Sequence, residues 1–103
     1  MSDADLIVAK TSVTIDGIPG SEVLAVCNHA GQVTLSCDGQ LLADSKDSED
    51  DNLFRLRTAR GAAFSALAGL LKELHTSLDA AAGDRKSAGQ AAITELQAQL
   101  KKV

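Results

Sequence analysis

The stretch Val33-Thr34-Leu35-Ser36-Cys37-Asp38-Gly39-Gln40-Leu41-Leu42-Ala43 decides the fold class. Val33, Leu35 and Cys37 alternate with Thr34 and Ser36, the period of a strand with one buried face. Asp38-Gly39 then supplies a tight hairpin turn into residues 40–43, because both positions tolerate positive φ. Upstream, residues 22–28 and 6–15 repeat the alternation. They are separated from each other by Asp16-Gly17-Ile18-Pro19-Gly20, and residues 22–28 are followed by His29-Ala30-Gly31 before the third strand. A meander of four antiparallel strands is expected. Pairing Ile15 with Ser21 and Asn28 with Gln32 would turn Ile7, Ala9, Val13, Ile15, Val23, Ala25, Cys27, Val33, Leu35 and Cys37 to one face. In that register Cys27 opposes Val33 and Cys37 opposes Val23; the competing register turns Leu24 and Val26 inward instead.

Downstream the period changes. Residues 44–52 hold five acids, one Lys and no large apolar side chain, and read as a solvated acidic loop over 45–52. Ser48 and Asp51 have capping-box spacing within it, and the acids suit a helix N-terminus. Leu53, Leu56, Ala63, Phe64, Leu67, Leu70, Leu71, Leu74 and Leu78 recur at threes and fours, predicting one long helix over 53–82. Gly83 ends it. Asp84 or Ser87 starts a C-terminal helix, assigned to 87–102, with Ile93, Leu96, Leu100 and Val103 on one stripe. The expected architecture is α+β: a four-stranded antiparallel β-meander (6–44) followed by two α-helices packed on one face, all in a single domain over 1–103.

The composition bears on function by exclusion. With 45% hydrophobic and 23% charged residues, 103 residues can build a core without metals or disulfides. A formal net charge of −4 opposes binding to nucleic-acid phosphates and anionic lipids, so neither nucleic acid nor membrane is expected as a partner. Residues 1–10 carry no basic segment and no apolar stretch of signal length. A cytoplasmic protein with reduced thiols is expected.

Cys27, His29, Cys37 and His75 are the residues from which a soft-metal or thiol site could be built, and their spacing matches no zinc knuckle. The surroundings of the cysteines lack the basic groups that stabilise a thiolate nucleophile. The acids of residues 44–51 lack the register of an EF-hand. No catalytic residue, cofactor or metal ligand is therefore assigned. The candidate partner-binding residues are Arg55, Arg57 and Arg60, the one basic cluster, and Gly61 and Gly69 within small-residue helix faces that admit close approach. Neutralising the acidic loop is the simpler role for the arginines. Ser48, in Ser-Glu-Asp-Asp, reads as an acidophilic phosphorylation site.

The stretch Val13-Thr14-Ile15-Asp16-Gly17-Ile18-Pro19, followed by two further strands, resembles the opening meander of the third proteasome-assembling chaperone family over residues 10–43. That resemblance implies an assembly chaperone. The family continues with a helix, a strand and a final helix, whereas this sequence reads as ending in two helices. The leading expectation is a non-enzymatic adaptor or assembly subunit that binds other proteins as a homodimer or hetero-oligomer. Such a chaperone is one alternative; a small enzyme or ligand-binding protein with its site completed at an oligomer interface is the other.

Overall fold

The structure, a computed structural model, describes residues 6–59 and 61–103. Four strands come first: β1 (Ile7–Ile15), β2 (Ile18–Cys27), β3 (Val33–Cys37) and β4 (Gln40–Asp44). Three helices follow, α1 (Glu49–Thr58), α2 (Ala62–Leu78) and α3 (Asp84–Leu100). The strands form one antiparallel sheet in the order β1-β2-β3-β4, the expected meander. Its first and third turns are two-residue Asp-Gly loops, Asp16-Gly17 and Asp38-Gly39. All four residues have positive φ, the twist that suits a right-handed hairpin.

Between β2 and β3 the expected register holds: Cys27 faces Val33 and Val23 faces Cys37. The β1–β2 register differs by two residues. Val13, where Ile15 was expected, faces Ser21, because the chain turns at Asp16-Gly17 and Ile15 closes on Ile18. Thr14 of β1 then opposes both Pro19 and Gly20, so the extra residue sits in β2 while β1 stays regular. Pro19 is tolerated there because β3 pairs only with Val23–Cys27, and a missing N–H breaks no ladder on that side. A shift of two preserves the facing of every side chain. Ala9, Val23, Ala25, Cys27, Val33 and Leu35 are buried as expected, with Ile7, Val13, Ile15 and Cys37 half-buried beside them. In β4 Leu42 is an extra residue between Leu41 and Ala43, which lets both Leu42 and Ala43 reach the core.

The helices cover that inner face. The predicted helix over 53–82 is instead two helices, and α2 ends at Leu78. The chain turns between Ala59, with φ −97° and ψ 44°, and Gly61, whose φ of +85° no helix admits. Leu56 and Ala63 are seven residues apart, so the apolar period runs unbroken across the turn and conceals it. The acidic segment 45–52 is only partly a loop. The Ser48 hydroxyl accepts from the Asp51 N–H, and Glu49, Asp50 and Asp51 form the first turn of α1, where acids favour the helix dipole. The C-terminal helix starts at Asp84 and ends at Leu100, against the expected 87–102.

Leu53 and Leu56 of α1, Leu67, Leu70, Leu71, Leu74 and Leu78 of α2, and Ile93 and Leu96 of α3 are buried; all but Leu53 join the sheet in one cluster. α2 lies over β1 and β2, α1 against β4, and α3 against α2, α1 and β3. α3 approaches the sheet closely at Gly89, where a Cβ would stand 2.8 Å from Leu78 Cδ1 and 3.0 Å from Cys27 Sγ.

Candidate functional site

A sheet covered on one face normally carries polar side chains on the other. Here the outer face mixes Lys10, Ser12, Glu22, Thr34, Ser36 and Asp44 with four large apolar residues. Val8 and Leu41 are 46% and 37% exposed, and Leu24 and Val26 are half-buried with no helix over them. The register joins them: Val8 faces Val26, and Lys10-Leu24-Ser36-Leu41 run across the sheet as one row. Lys10, Glu22 and Asp44 rim this patch. The β1–β2 hairpin projects past the end of β3 as a two-stranded arm with Ile18, 68% exposed, near its tip. On α1, Phe54 is 72% exposed.

A polar cluster, buried at Asn52 and Gln99, sits where the end of β4 meets α1 and α3. Asn52, fully buried, donates from Nδ2 to the Asp44 carbonyl and to Gln99 Oε1, each at 3.0 Å. Its Oδ1 accepts from the Asp44 N–H at 2.9 Å and from Arg55 Nη2 at 3.0 Å. Gln32 Nε2 reaches both Asp44 carboxylate oxygens at 2.9 Å, and Asn28 Nδ2 donates to Gln32 Oε1. These bonds tie the end of β4 to α1, α3 and the β2–β3 turn. The Asn52, Gln32 and Asp44 side chains all find partners within the chain, although Arg55 Nε is buried without one, and the bonds make a structural latch.

The predicted residues fall apart in function. Arg55 is half-buried and held by Asp47 at 2.6 Å as well as by Asn52, so it neutralises the acidic segment, the simpler of its two expected roles. Arg57 is exposed on α1. Arg60 lies outside the described residues. Gly61 serves the turn between α1 and α2. Gly69 lies on the exposed side of α2, and a Cβ there would meet nothing within 4 Å. Ser48 is exposed, and its hydroxyl is the cap of α1.

Cys27 and Cys37 are free thiols, the first buried and the second half-buried. Burial pushes the Cys27 thiol upward, offset in part by the Arg85 guanidinium, which also donates to the Cys27 carbonyl at 3.1 Å. Burial, with the nearby Asp38 carboxylate, pushes Cys37 upward too. Both shifts favour the neutral thiol and oppose nucleophilic use. Among the described residues no three His, Cys, Asp or Glu side chains gather as a metal site. A groove of about 640 Å³ between α2 and α3 is lined by Phe64, Ser65, Ala68, Gln97, Leu100 and Lys101; none of these is acidic, and Lys101 is the one cation.

No known protein family, curated protein or solved structure matches this chain. Among the described residues no helix is long and apolar enough to cross a membrane.

Proposed function

We propose that this chain is a non-enzymatic protein-interaction module, an adaptor or assembly subunit, whose docking surface is the outer face of the sheet. The carrying observation is the set Val8, Leu24 and Val26 on the adjacent strands β1 and β2, with Leu41 of β4 beyond Ser36 in the same row, on a face without helices. Leu and Val exposed singly need no explanation, but a contiguous patch rimmed by charge has the anatomy of an interface. The polar side chains around Asn52 and Asp44 are engaged within the chain, which supports the apolar part of the sheet face as the docking surface.

The test is a double substitution, Leu24→Lys with Val26→Lys. Both side chains lie on the outer face, so the melting temperature should stay close to that of the parent. Proteins that co-purify with the tagged parent from native extract should be lost with the variant. An unchanged set of co-purifying proteins would refute this docking surface.

A further inference from the structure

The free edge of β1 and the flank of α2 above it form a second surface, separate from the outer face. β1 is nine residues long, regular and at the edge of the sheet. Lys10, Thr11, Ser12 and Thr14 are exposed along it. Thr11 belongs to the inner-facing set, yet it is exposed while its neighbour in the ladder, Val23, is fully buried. The helical layer thus stops short of the edge. A long strand with unpaired backbone groups is a template for another strand.

The placement of α2 follows from its contacts. Ala63 shares a cavity with Ile15, and Leu78 lies close to Cys27, which pairs with Ile7. α2 therefore runs antiparallel to β1, and its middle, near Leu70, lies level with Thr11 along the strand. Phe64 and Ala68 line the groove shared with α3, and the His75 carbonyl accepts from Gln90 of α3. The opposite flank, carrying Ala66 and Glu73, looks toward the β1 edge, and Gly69 lies beside it on the outer crest of the helix. Gly69 has no packing reason within its own chain, since a Cβ there would meet open space. A glycine inside a helix costs about 1 kcal/mol relative to alanine.

We infer that a second copy of this chain pairs with β1 along this edge, antiparallel and with Thr11 on the twofold axis. This inference is independent of the outer-face reading. The Thr11-centred register pairs all nine residues. Ile7 of one copy meets Ile15 of the other, Ala9 meets Val13, Val8 meets Thr14 and Lys10 meets Ser12. The half-buried Ile7, Val13 and Ile15 gain apolar neighbours, and no like charges are opposed. Centring on Lys10 would set two lysines face to face. A twofold perpendicular to the sheet keeps both helical layers on one side. With strands about 4.8 Å apart and α2 seated over β1 and β2, the two α2 axes lie about 10 Å apart, within reach of packing when the facing residues are small. Ala66 is the small residue on that flank. An edge about 30 Å long with one helical layer above it buries on the order of 1,000 Å² over both copies, the lower bound for a specific interface.

Sedimentation of the full chain over a concentration series from about 1 to about 200 μM tests the inference. The parent should pass from monomer to dimer. Thr11→Lys places like charges opposite each other at the axis and should raise the dissociation constant at least about tenfold. Thr14→Lys faces Val8 of the other copy and should change it less than about threefold. Both positions are exposed, and thermal melts will verify that each variant folds. In a second measurement Thr11→Cys should give a disulfide-linked dimer under mild oxidation and Thr14→Cys should not. The Leu24→Lys, Val26→Lys variant should still dimerise, which separates failure of this surface from failure of the outer face. A parent that stays monomeric throughout, or a dimer indifferent to Thr11→Lys, would overturn the inference.

Discussion

Asn52→Ala tests whether the buried latch holds the helical layer onto the sheet. The side chain is fully buried and makes four hydrogen bonds at 2.9 to 3.0 Å. Truncation leaves the Asp44 N–H, the Asp44 carbonyl and Gln99 Oε1 without that partner, and Gln99 is itself 3% exposed. A buried polar group left unsatisfied costs about 1 to 3 kcal/mol. Two such groups remaining dry give a loss of about 3 kcal/mol. In a domain of this size each kcal/mol moves the midpoint by roughly 4 to 8 °C, so the melting temperature should fall by about 12 to 24 °C. Urea denaturation followed by far-UV circular dichroism measures the loss directly. Gln99→Ala should cost less, about 1 kcal/mol, because Asn52 Nδ2 keeps the Asp44 carbonyl. The double variant should cost less than the sum of the two, as expected of partners in contact. A loss below about 1 kcal/mol for Asn52→Ala would refute the latch, since surface substitutions commonly cost that little.

Four further outcomes follow from the packing. Gly89→Ala should destabilise the protein by about 1 to 3 kcal/mol, because a Cβ would press on Leu78 and Cys27, while Gly69→Ala should stabilise it by up to about 1 kcal/mol in dilute solution; chemical denaturation compares them. Leu67→Ala, at a fully buried site, should cost about 2 to 5 kcal/mol by the same measurement. Arg55→Ala should cost about 1 kcal/mol through the lost Asp47 and Asn52 contacts, and Arg57→Ala close to nothing. The folded-state pKa of Cys27 is raised, so its contribution to stability is complete below the ordinary thiol range near about 8.5 and is lost as pH rises through the folded value. Melting temperature should decline over that alkaline window, and Cys27→Ala should flatten the decline.

Much of the architecture was legible because β1, β3 and the inner face of β2 from Val23 to Cys27 keep period two. Val33, Leu35 and Cys37 identified the buried face, and the short His29-Ala30-Gly31 link fixed the β2–β3 register correctly. The β1–β2 register was missed by two because Pro19 and Gly20 read as turn residues. Pairing of β2 with only one neighbour at that end lets a proline enter the strand. The break between α1 and α2 was hidden by a separation of seven residues between Leu56 and Ala63, which keeps apolar phase through any connection of that length. Gly61 was the available signal, and its role is conformational.

The surfaces were harder to read than the fold because hydropathy marks a side chain as apolar without saying which layer covers it. Leu24 and Val26 were seen as rivals for the core, when both faces of β2 are apolar and only one is roofed. The run Val23-Leu24-Ala25-Val26-Cys27 carried that information, since a strand apolar on both sides either lies between two layers or presents one side to a partner. Asn52 and Gln99 show the converse limit. Polar letters in an acidic segment and a C-terminal helix look solvated until pairing across 47 positions supplies both with buried partners. The arginines stand between these cases: the i+8 spacing from Asp47 to Arg55 brings a loop acid onto the first turns of α1, where the two side chains pair. On the reading proposed above, a partner should be sought first by what it does to Leu24 and Val26, which the letters of the sequence alone could not place on an uncovered face.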